Sequence, residues 1–175
     1  LFPIPYQKLV EGATLCRDNA AMLSECALDI FEKYPSISSF LTVLAIEETG
    51  KGLALLKKYE KGDDFKEKEW KKLTEDRKAH RRKLKIVHTA LVDPYSVLSP
   101  HKLSVKIEEI KEFQHKANII AKQVNKLKLD YLYVNWNEKQ NRWMLPMKDH
   151  IFVEHIFQRL VASIRILSQK LREGN

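Results

Sequence analysis

Apolar side chains recur at intervals of three and four along most of the chain, the period of helices that bury one face. Leu9, Ala13, Cys16, Ala20, Leu23, Ala27 and Ile30 form the first such stripe. They predict a helix over residues 6–34, after an extended lead-in at 1–5 that holds Pro3 and Pro5. Pro35 interrupts the run, and Ser36 and Ser38 are candidate caps for the next helix. That helix, over 36–60, is apolar nearly all round, from Ile37 to Ile46 and again from Leu53 to Leu56. Such a helix belongs at the centre of a bundle. Gly62-Asp63-Asp64 makes a turn. Trp70, Leu73, Leu84, Val87 and Leu91 predict a third helix over 66–92, stopped by Asp93-Pro94. Val105, Ile110, Phe113, Ala117, Ile120 and Val124 predict a fourth over 102–129. Ile151, Ile156, Leu160, Ile164 and Leu167 predict a last helix over 148–172.

One segment breaks this rhythm. Residues 131–136 are β-branched and aromatic, 137–141 are polar, and Arg142-Trp143-Met144-Leu145 follows before Pro146. This predicts a short β-hairpin over 131–145, which needs the helices to pack on. The fold class is therefore an all-α bundle of about five helices with one hairpin before the last. No internal repeat and no long linker divides the chain, so residues 1–175 read as a single domain.

Composition adds a charge argument. Lys and Arg outnumber Asp and Glu by 31 to 23, a net charge of +8 that suits a polyanionic partner such as RNA or DNA, and equally suits simple solubility. No run approaches the length of a membrane span, and a cytoplasmic protein is expected. Cys16 and Cys26 on one helix are separated by about 15 Å of rise, too far to bridge each other, so both are expected as reduced core thiols. Leu1-Phe2-Pro3 is not an initiator or signal pattern, and further N-terminal residues are expected to precede it.

Two polar faults in the apolar stripes carry the candidate chemistry. On the second helix, Glu48 and Lys51 interrupt the stripe Ile37, Leu41, Leu44, Leu55, with Glu47 beside them. On the third, Arg77 and His80 interrupt Trp70, Leu73, Leu84, Val87, and Lys83 lies one turn on. Buried charges need partners. If the two helices form an antiparallel pair about Asp63, Glu47, Glu48, Lys51, Arg77, His80 and Lys83 reach one level, and Gly50 allows a close approach there. The cluster suits a structural ion network. It equally suits acid–base chemistry on a phosphodiester, with His80 moving the proton, Glu47 or Glu48 orienting it, and Lys51 with Arg77 or Lys83 holding the phosphate.

These residues also resemble a known family. Leu44-Ala45-Ile46-Glu47-Glu48-Thr49-Gly50-Lys51 is similar to a signature of the AbiV abortive-infection family, which belongs to the HEPN superfamily of helical domains. His80-x-x-Lys83 preceded by Trp70 resembles its second motif. Lys128 followed by Tyr131-Leu132-Tyr133-Val134-Asn135 resembles its basic residue and strand, with Asn135 where the family usually has Asp; Trp143 and Pro146 fit downstream. The ordered set covers about residues 12–165. The resemblance implies a helical bundle, often dimeric, that defends bacteria against phage by stopping growth or translation. HEPN relatives are often metal-independent endoribonucleases carrying Arg-x4-6-His. Here that pattern falls on Arg81 or Arg82 with His88, a centre that competes with His80.

Other features widen the choice. Lys78, Arg81, Arg82 and Lys85 form a basic run that can grip RNA phosphates or simply face solvent, and Lys128 and Tyr133 join them as RNA-binding candidates. Glu112-x-x-His115 has no second copy, and the other histidines lack ligand spacing, so neither metal nor cofactor is expected. The expected partners are RNA or the translation machinery, a second copy in a homodimer, and a phage-encoded or antitoxin protein, with no membrane. A non-catalytic binding or toxin module, or a dimeric adaptor, is the alternative function.

Overall fold

A computed structural model of the chain describes residues 3–76, 78–92, 115, 119, 121–122, 124–125, 135–137, 142–144 and 150–173. Five α-helices are bounded among them: α1 (Leu9–Asp29), α2 (Pro35–Tyr59), α3 (Glu67–Thr74), α4 (Ala79–Val92) and α5 (His150–Glu173). Residues 115, 119, 121, 122, 124 and 125, within the expected fourth helix, are also helical, and Ala121 and Val124 are buried. Two short strands, β1 (Asn135–Asn137) and β2 (Arg142–Met144), pair antiparallel with Trp136 opposite Trp143. The remainder of 131–145, with Lys128 and Tyr133, lies outside the described residues.

α2 is the central rod, packed against α1, α4 and α5. α1 presents Leu9, Ala13, Cys16, Ala20 and Ala27 inward, and these small side chains bring it close to α2. α1 is shorter than the apolar stripe predicts. The amide of Ile30 closes on the carbonyls of Cys26 and Leu28, and turn bonds carry the chain to Tyr34. Ser36 and Ser38 do not cap α2. Pro35 starts the helix at a position where its missing N–H is not needed, and the Ser38 hydroxyl instead bonds the Ala27 carbonyl across to α1 at 2.6 Å.

The buried face of α2 is offset from the stripe Ile37, Leu41, Leu44, Glu48, Lys51. Ile37 is exposed, whereas Ser38, Ser39, Thr42, Val43, Ala45, Ile46, Glu47 and Thr49 are buried. Hydroxyl groups tolerate this position because each bonds a nearby carbonyl: Ser39 to Pro35, Thr42 to Ser38, and Thr49 to Ala45.

The expected third helix is two. No apolar residue lies between Leu73 and Ala79 to hold that stretch to the core. Asp76 instead takes the role of a cap: its carboxylate accepts the Lys78 amide at 2.7 Å and its carbonyl accepts the Ala79 amide. α3 leaves the C-terminal end of α2, where Glu69 meets Lys58 at 2.8 Å. It packs against α4 and returns the chain to the start of that helix, beside Glu47. From there Glu47 meets His80 and Gly50 meets Lys83, so α4 advances beside α2 in the same sense. The expected antiparallel pair is replaced by a parallel one with α3 as the return.

Candidate functional site

Glu47 lies on the α4-facing side of α2 and is 2% exposed. Its Oε2 stands 2.6 Å from Nδ1 of His80 and 3.2 Å from Nζ of Lys83. Those two residues sit three apart at the start of α4 and so share one face. The backbones can approach because Gly50 has no side chain: a Cβ there would overlap the carbonyl oxygen of Lys83. Gly52, half a turn on, does the same service for α5, since a Cβ there would meet Leu167 at 2.8 Å.

An ionised carboxylate only accepts hydrogen bonds. His80 therefore donates Nδ1–H to Glu47, from a ring whose side chain is 52% exposed. Glu47 is thus shielded from water while its imidazole partner reaches it. Lys83, mostly buried, balances the Glu47 charge.

Glu48 and Lys51 form a second pair one step round α2, 2.7 Å apart and half-buried. Both expected phosphate-holding lysines, Lys51 and Lys83, are engaged by carboxylates. Arg77 lies outside the described residues. The basic run divides by face. Lys78 is exposed, Arg81 half-buried, and Arg82 is held by Asp76 at 3.1 Å on the side of α4 that carries Lys85. Arg82 and Lys85 point about half a turn away from His80.

The competing histidine, His88, is 1% exposed. It lies about two turns along α4 from Arg81, and about 120° round the helix from Arg82. Cys16 was not singled out as a neighbour of the site, yet its thiol feels Lys51, Glu48 and Lys83 from α1. Burial, opposed by Lys51, pushes that thiol up to about 11. Cys26 is exposed rather than in the core, and neither cysteine is bridged. Among the described residues, no group of three His, Cys, Asp or Glu side chains is placed to hold a metal ion, and His115 is exposed. No described helix is long and apolar enough to cross a membrane.

A helical bundle with a carboxylate–imidazole–ammonium cluster held between two of its rods defines the class: an all-α fold with a charged centre. The chain belongs to the AbiV family of HEPN domains, whose model matches residues 8–162. It is accordingly an abortive-infection protein, of the kind that defends bacteria against phage. No curated protein and no solved structure matches the chain.

Proposed function

We propose that this protein arrests infected cells by acid–base cleavage of RNA in the cytoplasm, with the Glu47–His80 pair as its catalytic centre. The observation that carries the reading is the 2.6 Å contact between a nearly inaccessible carboxylate and the inner nitrogen of a half-exposed imidazole. That arrangement orients a partly exposed imidazole on a buried carboxylate, the pairing that general-base chemistry uses. Nε2 takes the proton of a ribose 2′-hydroxyl as its oxygen attacks the adjacent phosphorus. The 5′-oxygen leaves and receives the proton back, leaving a cyclic phosphate. Lys83 balances the Glu47 charge, and Lys78 and Arg81 near the start of α4 steady the strand. His88 with Arg81 or Arg82 has less support, because the ring is enclosed and Arg82 turns to another face.

Purified protein incubated with total RNA in EDTA tests this. The wild type is expected to cleave. His80→Ala is expected to lose cleavage by about a hundredfold or more with an unchanged melting temperature, as for a general base. Loss in His88→Ala but not in His80→Ala transfers the chemistry to the competing centre. Growth arrest that survives both changes means inhibition by docking on the translation machinery or a protein partner.

The dimer has its own support. Leu15 and Met22, 63% and 53% exposed, lie two turns apart on the outer side of α1, an apolar strip that a second copy would cover.

A further inference from the structure

Along the face of α4 turned away from His80, α2, α3 and α4 frame a cavity of about 550 Å³. Its floor is aliphatic: Leu53 and Ala54 from α2, Leu73 from α3, Ile86 and Ala90 from α4. Leu53, Leu73 and Ala90 also belong to the hydrophobic core, so the floor is the outer face of a close-packed interior. Phe65 lines the cavity too, but it is 5% exposed and Trp70 meets it edge-on at 5.8 Å, so its ring is committed to the core. Among the described lining residues, Thr89 carries the only hydroxyl and none carries a side-chain amide.

Cations surround this floor. Lys57 and Lys61 come from α2 and its following turn, Lys72 from α3, Arg82 and Lys85 from α4. Two carboxylates reach the cavity, and both are engaged: Glu60 by Lys170 at 2.6 Å, and Glu69 by Lys58 at 2.8 Å. Among the described residues, Lys57, Lys61, Lys72 and Lys85 form no ion pair. Like charges round one mouth repel each other, and an anion between them relieves that repulsion.

The two surfaces select the ligand. A flat heteroaromatic ring calls for a ring to stack on and polar groups to read its edges. This floor supplies neither, whereas a flexible hydrocarbon asks only for apolar area. We infer that the cavity binds a single-chain carboxylate, a fatty-acid anion, with its tail along the aliphatic floor and its head among the free-ended lysines. Lysine stems lie over apolar surface while their charged ends stay in water, so the same side chains serve tail and head. The volume falls in the range of small-ligand pockets. A bilayer lipid shares this chemistry, but cations on three walls of a concavity suit a ligand that enters singly. A membrane surface calls instead for an apolar face laid into the plane of the headgroups. The site shares no residue with the Glu47–His80–Lys83 cluster. Its failure would leave the RNA-cleavage reading untouched, and the reverse holds too.

Calorimetric titration of the whole chain with hexanoate, octanoate, decanoate and laurate, each below its micelle concentration, tests the inference. Affinity is expected to rise about two- to fourfold with each added methylene, then level off once the floor is covered. Decanol, which has the tail without the charge, should bind about tenfold more weakly than decanoate at low salt. Lys57→Glu with Lys85→Glu should weaken decanoate by about tenfold and leave decanol unchanged. Ala54→Leu, which takes up floor and keeps every charge, should weaken laurate more than hexanoate. His80→Ala should bind laurate as the wild type does. Circular dichroism melting verifies that each variant is folded, and Lys72→Glu alone serves if the double reversal is not. No laurate binding by the wild type, affinity indifferent to chain length, or decanol as tight as decanoate would each overturn the proposal. So would ATP or a short RNA binding more tightly than laurate and losing its hold in the same variants. Capture on phosphatidylglycerol vesicles that needs these lysines, without binding of free laurate, would overturn it in favour of a membrane surface.

Discussion

Glu47 decides most at the residue scale. A carboxylate 2% exposed is tolerated because Lys83 and His80 stand within 3.2 Å of it. Removing one member of a buried pair strands the other, so Glu47→Ala is expected to cost about 3–5 kcal/mol in urea unfolding. Replacing both, as Glu47→Leu with Lys83→Met, should recover most of that stability, since apolar packing can substitute for a buried ion pair. RNA cleavage should stay absent in the double variant. Recovery of cleavage there would show that the carboxylate only holds the helices together. Cys16 makes a separate prediction. Its folded thiol titrates at about 11, against 9.0 for an ordinary one. Above pH 9 the unfolded chain gives up this proton while the folded chain keeps it, so the unfolded state gains. Stability contributed by the thiol is present below pH 9 and is lost on rising to about pH 11. Cys16→Ala should flatten the decline in unfolding free energy between those two values. At neutral pH, a thiol reagent should modify one cysteine per chain quickly, Cys26, and leave Cys16 for unfolding to expose.

Among the elements, the junction of α2 and α4 is the tightest. Gly50→Ala puts a methyl group into the Lys83 backbone, which has no flexible end to swing aside. The helices must separate, at a cost of about 1–3 kcal/mol for overpacking. Because Glu47 and His80 meet one turn away, cleavage should fall together with the melting temperature. A variant as stable and as active as wild type would show that the close approach is not required. The sequence makes the site's membership legible before its route. Glu47, Gly50, His80 and Lys83 stand out because charges and a glycine interrupt apolar helices. The route is hidden because Glu75, Arg77 and Lys78 are good helix formers, and Leu73 and Leu84 on either side stay in phase for one unbroken helix. The break is written only in the gap from Leu73 to Ala79 and in Asp76, whose short side chain competes for backbone amides. The offset of α2 arises in the same way. Ser38, Thr42 and Thr49 count as polar in a hydropathy pattern, yet they are buried with their hydroxyls bonded inside the helix or to α1.

For the whole molecule, the family match over residues 8–162 spans most of the chain. The lysine-ringed cavity lined by Leu53, Phe65 and Leu73 has no signature in the sequence. Its walls come from α2, α3, α4 and α5, and their convergence depends on the broken helix that periodicity conceals. Assembly is testable at this scale. Leu15→Glu with Met22→Glu should convert a dimer to a monomer in light scattering, without lowering the melting temperature, since both side chains face outward. A wild type that runs as a monomer at high concentration would remove the dimer. The lead-in before α1 has a wider reach than its length suggests. Ile4 and Phe65 exchange amide–carbonyl bonds in both directions, at 3.0 and 2.9 Å, and the Tyr6 amide is held by Asp64. Phe65 in turn forms part of the lysine-ringed cavity. Residues 4–6 are thus a strap across the back of that wall, and a substitution that loosens it would be felt by whatever the wall holds.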